Sequence, residues 1–135
     1  RAYLENSARY YNKYQPGTPA INPQWRAYNY DMVSGVDYQF DLSKPEGSRV
    51  TKLSFKGKPV QDGQTFTMAI NSYRQRGGGG YEMIKDAPVV YNKEEGIRET
   101  IIDFLKKKKT IKPSEVFKKN WHLLGGIDPE QRLFQ

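Results

Sequence analysis

The chain has no cysteine and one histidine among its 135 residues. Without cysteine there is no disulfide framework, no thiolate metal site and no cysteine nucleophile. That absence fits many bacterial extracytoplasmic proteins as well as cytosolic ones. The lone histidine, His122, cannot by itself make a metal site of the usual histidine-rich kind. Nothing in the spacing of serines and aspartates supports a Ser-His-Asp triad around it. It stands beside Trp121 in an apolar stretch and reads as a structural residue. No apolar run approaches the length needed to span a bilayer, so membrane insertion is not expected. There is no internal repeat. Acidic residues are the minority charge, 15 against 22 Lys and Arg, for a net charge of +7. That balance favours anionic partners. Four of the lysines form one run, 106–109, at a predicted helix end, where they complement the dipole and stay solvated. The charge is therefore discounted as a sign of nucleic-acid binding. The length suits one domain with a core. The chain begins at Arg1, so any initiator or signal sequence lies outside it, and it reads as a piece of something longer.

What is present is concentrated at 71–81, Asn-Ser-Tyr-Arg-Gln-Arg-Gly-Gly-Gly-Gly-Tyr. It follows Thr-Phe-Thr-Met-Ala-Ile (65–70), whose alternation puts Phe66, Met68 and Ile70 on one face, as a half-buried strand requires. A strand is thus expected to deliver an aromatic, two arginines and four glycines to one sheet edge. Tyr73 offers a flat face to stack on a base or sugar. Arg74 and Arg76 can pair with phosphate or brace the loop. Gly77, Gly78, Gly79 and Gly80 can take positive φ and let a ligand approach the backbone. The competing reading is a flexible surface turn with one core tyrosine. The run is no P-loop, since no Gly-Lys-Ser/Thr follows, and it lacks the dinucleotide spacing. Carboxylates are scattered or sit at helix starts. Residue chemistry alone describes a binding or scaffold domain, not a self-sufficient enzyme.

Taken in order, 1–14 reads as a helix with Leu4, Ala8 and Tyr11 on one face. A proline-rich loop follows, whose Trp25, Tyr28 and Tyr30 are expected to close over a core. Residues 34–42 alternate, Val36, Tyr38, Phe40 and Leu42 against Asp37, Gln39 and Asp41, as a strand with one solvated face. Residues 50–55 form the next strand, and turns at 44–47 and 61–63 separate it from 65–71. Three strands joined by short turns predict an antiparallel meander. A short strand is expected at 88–91. Asn92 with Glu95 matches a capping box, opening a helix over 93–108 that packs Ile97, Ile101 and Leu105 on the core. Pro113 stops it, 120–124 closes the sheet, and 125–135 is a tail or linker.

Several stretches together resemble the C-terminal domain of the 5′-nucleotidase family. They are Tyr-Asp-Met-Val-Ser-Gly-Val-Asp-Tyr (30–38), Gly-Ser-Arg-Val (47–50), Phe-Lys-Gly-Lys-Pro (55–59), Asn-Ser-Tyr (71–73) and the glycine run to Tyr81. The late helix and the Asn120-Trp121 pair fit as well. The resemblance covers 1–124 and implies an α+β domain, incomplete at its N-terminus: a mainly antiparallel sheet with packed helices. Tyr-Asn-Tyr-Asp (28–31) before Ser-Gly-Val-Asp-Tyr, and Tyr73-Arg74, look like the bacterial 2′,3′-cyclic-nucleotide 2′-phosphodiesterase/3′-nucleotidase branch. In that family a metallophosphoesterase domain with a divalent metal pair performs the hydrolysis. The C-terminal domain holds the base between two aromatic rings. The resemblance makes Tyr73 the second ring and places the first, with the catalytic domain, upstream of Arg1. Many members carry an acidic residue where this chain has Gly79, so a side-chain contact to ligand is lost there and backbone contacts remain. The resemblance thus implies a nucleoside or nucleotide ligand, an N-terminal metallophosphoesterase partner domain, no cofactor on this chain and an extracytoplasmic location. This chain alone is not expected to be catalytic. A plain 5′-nucleotidase or UDP-sugar hydrolase domain, a single-stranded nucleic-acid-binding module, and a purely structural or wall-associated role remain as alternatives.

Overall fold

The alternation of Tyr38, Phe40 and Leu42 with polar residues makes the strand at the centre of the sheet, β1 (Asp37–Asp41). All three side chains are buried. In the computed structural model, which describes residues 1–125, β1 pairs antiparallel with β2 (Val50–Phe55). Tyr38 lies opposite Leu53 and Phe40 opposite Val50, with a bulge between Gln39 and Phe40. β2 turns through Lys56 and Gly57, both at positive φ, into the two-residue β3 (Lys58–Pro59). On its other side β1 pairs in parallel with β4 (Trp121–Leu124), Tyr38 beside Trp121 and Phe40 beside Leu123. The order is β3-β2-β1-β4. The sheet is therefore mixed, with two antiparallel pairings and one parallel pairing. The chain divides into two units, 1–86 with the described residues from 120 on, and 87–119.

In the first unit, α1 (Ala2–Ser7) and the 3₁₀ turn Ala8–Tyr10 lay Leu4, Ala8 and Tyr11 against Tyr38, Phe40, Leu42 and Val50 to form the core. The helix stops short of the expected residue 14. Tyr11 is already extended and bridges Ile21. The stop has a physical agent in Arg49, whose buried guanidinium donates to the carbonyls of Ala8 (2.8 Å) and Tyr11 (2.7 Å). Carbonyls left over at a helix end need donors of this kind. Glu5 ties the same junction from the other side, accepting from the backbone N–H groups of Arg49 and Val50. Asn120 donates its amide to the carbonyls of Val33 and Val36, fixing the start of β4. His122 lies on the exposed face of β4.

Four further expectations are corrected. Residues 65–71 are not a strand: no ladder forms, because no described strand lies alongside them, and the third strand is the short β3 instead. Residues 88–91 form no strand either. In the second unit, α3 (Ile97–Lys108) starts after Gly96, with no side-chain cap, so Asn92 and Glu95 lie outside it. Its Ile97, Ile101 and Leu105 are exposed rather than packed on a core. The second unit, which also carries α4 (Pro113–Val116), has no buried residue, so it provides no core of its own for that stripe. The tail expected at 125–135 lies, from 126 on, outside the described residues.

Two alanine replacements separate the core from the exposed stripe. Phe40→Ala should cost about 3–5 kcal/mol in chemical denaturation of this chain. Ile101→Ala, at 52% exposure, should stay within roughly 0.5 kcal/mol.

Candidate functional site

Asn71 converts the preceding run into a helical turn. Its side-chain oxygen accepts the backbone N–H of Arg74 at 2.8 Å, the preferred N-cap chemistry, and α2 (Ser72–Gln75) follows. One turn of helix sends Tyr73 outward and Arg74 inward. Tyr73 is 56% exposed, whereas Arg74 is 5% exposed.

Arg74 meets a carboxylate from a distant part of the chain. Its Nε and Nη2 donate to the two oxygens of Asp31 at 2.7 and 2.9 Å, a bidentate pair. Nη2 also donates to the Tyr28 carbonyl, and Nη1 to Asn29 Oδ1 and to the Gly78 carbonyl. All five guanidinium N–H groups are thus engaged inside the protein, none left for a phosphate. The guanidinium carbon also lies 4.6 Å from the centre of the Tyr81 ring. Asp31 is itself held. Its backbone N–H donates to Ser7 Oγ, which donates in turn to the Asp31 carbonyl, and the Tyr3 hydroxyl donates to its carboxylate. Burial alone would raise the Asp31 carboxyl. The hydrogen bonds from Arg74 and Tyr3, with the Arg74 charge, outweigh it and hold the group below the usual carboxylate range. Burial, then the bond to Asp31, pushes the Tyr3 hydroxyl up.

The glycine run wraps around this anchor. Gly77, Gly79 and Gly80 have φ of +84°, +74° and +84°. At Gly79 a Cβ would stand 2.2 Å from Arg74 Nη1 and 2.5 Å from Asn29 Oδ1. A side chain there collides with the anchor as well as with its own backbone preference. At Gly78 a Cβ would stand 2.5–2.6 Å from three consecutive carbons of the Tyr73 ring. Such near-equal distances mean the residue lies under the ring face, so one face of Tyr73 is covered and the other is turned outward. Tyr81 closes the loop, buried, with its hydroxyl donating to the Asn29 carbonyl at 2.8 Å.

The residues singled out from sequence therefore separate by role. Tyr73 and Arg76 are exposed, Arg74 and Gly77 are buried, and Gly78, Gly79 and Gly80 form the loop between ring and anchor. A neighbouring groove of about 910 Å³ reaches Asn71 and Arg74 but not Tyr73 or 77–80. Asp31, Tyr3, Asn29 and Tyr81 were not singled out from sequence. The available signal was a carboxylate in an aromatic loop, Tyr-Asn-Tyr-Asp, awaiting a cation. Among the described residues no three of His, Cys, Asp and Glu gather as a donor set, so these residues do not fit a metal pair. Nor is any described helix long and apolar enough to cross a membrane.

The family profile described as "5′-nucleotidase, C-terminal domain" matches residues 1–86, the continuous stretch of the first unit. The chain belongs to the 5′-nucleotidase C-terminal domain family. It is 32% identical over 90% of its length to the trifunctional nucleotide phosphoesterase protein YfkN of Bacillus subtilis, and covers 9% of that protein. It is 30% identical over 92% of its length to the 2′,3′-cyclic-nucleotide 2′-phosphodiesterase/3′-nucleotidase of Haemophilus influenzae, covering 22% of it. Among solved structures it is similar, with a TM-score of 0.77 and 28% identity, to a Staphylococcus aureus protein described as a 5′-nucleotidase and solved with alpha-ketoglutarate. That match covers 91% of this chain and 24% of the other. This 5′-nucleotidase C-terminal domain thus spans less than a quarter of the proteins it matches.

The anchor makes two measurable demands. Arg74→Ala strands the Asp31 carboxylate and should cost about 3–5 kcal/mol in denaturation, while Gly79→Ala should cost about 1–3 kcal/mol for its backbone strain. Because the folded state lowers the Asp31 pKa, the contribution of that carboxylate is full above the ordinary carboxylate range. It is lost as pH falls through the lowered value. Stability of Asp31→Asn measured against pH should therefore lose part of its acid-side slope.

Proposed function

We propose that this domain is the nucleotide-binding part of a phosphoesterase that opens nucleoside 2′,3′-cyclic phosphates and then removes the 3′-phosphate. The observation that carries the reading is Tyr73, a ring with one face against Gly78 and the other outward, on a loop pinned by Arg74 and Asp31. A fixed aromatic face suits a purine or pyrimidine base, since every base has a π-face to stack. Gly78, Gly79 and Gly80 would border the bound nucleotide through their backbone, and Arg76 is the exposed cation nearest the loop in sequence. Arg74 acts on ligand only through the loop it holds. The names of the B. subtilis and H. influenzae relatives support the substrate class.

On this reading the hydrolysis takes place on an N-terminal metallophosphoesterase domain, and divalent-metal chemistry belongs there. The domain described above contributes binding energy at the base, remote from phosphorus, and so positions the substrate. The protein would work outside the cytoplasm, where such nucleotides are scavenged. A second reading, a plain 5′-nucleotidase, is favoured by the S. aureus structure.

Kinetics of the full-length protein test both. The first reading expects kcat/KM for 2′,3′-cyclic nucleotides to exceed that for 5′-nucleotides; the reverse order selects the second. Under either, Tyr73→Ala should remove roughly 1–3 kcal/mol of base stacking. The loss should fall mainly on KM, because the contact is the same in ground and transition states. Tyr73→Phe should be mild. An unchanged kcat/KM in Tyr73→Ala, for purine and pyrimidine substrates alike, contradicts the stacking role.

A further inference from the structure

Asn29 stands where the aromatic loop meets the glycine loop, half-buried and held from several sides. Its backbone N–H donates to the Arg26 carbonyl at 2.8 Å, and its carbonyl accepts the Tyr81 hydroxyl at 2.8 Å. Its side-chain oxygen accepts from Arg74 Nη1 at 3.4 Å. A guanidinium has only donors to offer, so the amide oxygen must face it and the amide nitrogen is turned the other way. The geometry at Gly79 agrees. A Cβ there would meet Asn29 Oδ1 at 2.5 Å and Cγ at 3.0 Å, with Nδ2 no nearer. Nδ2 makes no hydrogen bond among the described residues. Unlike the amide nitrogen of Asn6 and the indole nitrogen of Trp25, it is not sealed from solvent.

An exposed amide ordinarily turns freely and pairs with water. This one cannot turn, because a flip would set its N–H groups against those of Arg74. Its two donors are therefore fixed in direction before any ligand arrives, which cuts the ordering cost of binding. We propose that Asn29 Nδ2 donates a hydrogen bond to the nucleoside stacked on Tyr73, and that Asn29 is a specificity-determining side chain of the site. The inference rests on the nucleotide-binding reading above. On that reading the phosphate lies at the metals of the N-terminal domain, so the acceptor that meets Asn29 belongs to the sugar or the base. Gly79 has no side chain of its own. On this side of the loop Asn29 supplies the side-chain contact, and the glycines supply backbone.

Asn29→Asp in the full-length protein separates this role from a structural one. It keeps an oxygen for Arg74 and replaces the two N–H donors with a second acceptor. The denaturation midpoint should stay at or above that of the parent. KM for the preferred nucleotide should rise on the order of tenfold with kcat little changed. Inhibition by adenosine and by uridine should weaken to a similar degree, and inhibition by inorganic phosphate should not. Equal losses for the two nucleosides assign the acceptor to the sugar; unequal losses assign it to the base edge. Asn29→Ala should also weaken nucleoside inhibition and, unlike Asn29→Asp, lower the midpoint. Unchanged KM and unchanged nucleoside inhibition in Asn29→Asp overturn the proposal, and so does a loss confined to phosphate. Tyr73→Ala measured alongside shows which reading has failed. If it weakens nucleoside inhibition and Asn29→Asp does not, the nucleotide-binding reading stands and Asn29 only braces Arg74. If neither weakens it, the nucleotide-binding reading fails as well.

Discussion

The bidentate contact between Arg74 and Asp31 is the interaction on which the site depends. It joins residues 43 apart in sequence, from the aromatic loop and from the turn after the apolar run. Each partner is over-determined. Asp31 is held by Ser7 and Tyr3 from α1, and Arg74 by two carbonyls and the Asn29 amide oxygen. An ion pair of this kind, with Arg74 buried and Asp31 partly buried, contributes modestly to net stability but is costly to break on one side. Its consequence is geometric. The loop carrying Tyr73 is fixed to α1, and α1 is fixed to the sheet by Leu4, Ala8 and Tyr11.

The same dependence explains why glycine recurs at 77–80. Gly78 lies under the Tyr73 ring, and Gly79 leaves room for Arg74 and Asn29. The protein's own side chains, Tyr73 and Arg74, are thus the first to approach Gly78 and Gly79. Gly79 is filled on its inner side by the Arg74 guanidinium. An acidic side chain there would meet that cation and compete with Asn29 for it.

The central sheet was legible because period-two alternation is a local signal with one dominant cause. Tyr38, Phe40 and Leu42 are buried as that alternation requires, and β2 and β4 fall where apolar runs between turn residues place them. Misreadings arose where a local pattern needs a partner that sequence does not name. Residues 65–71 have strand periodicity without a neighbouring strand, and Ile97, Ile101 and Leu105 have helical periodicity without a core inside their own unit. At the site, Tyr73 and the glycines were legible as residue types in a pattern. Asp31 was not, because a carboxylate's value here comes from an arginine 43 positions away. The termination of the first helix was hidden for the same reason, since Arg49 reaches its carbonyls across about 40 residues.

The claim that Arg74 holds the loop while Tyr73 meets the base is tested most directly by a crystal structure. The sample is the full-length protein with an unreactive 2′,3′-cyclic-nucleotide analogue. The account predicts the base stacked on the outward face of Tyr73 and Arg74 still paired with both oxygens of Asp31. A base bound away from Tyr73, or Arg74 released from Asp31 to contact the phosphate, would contradict it.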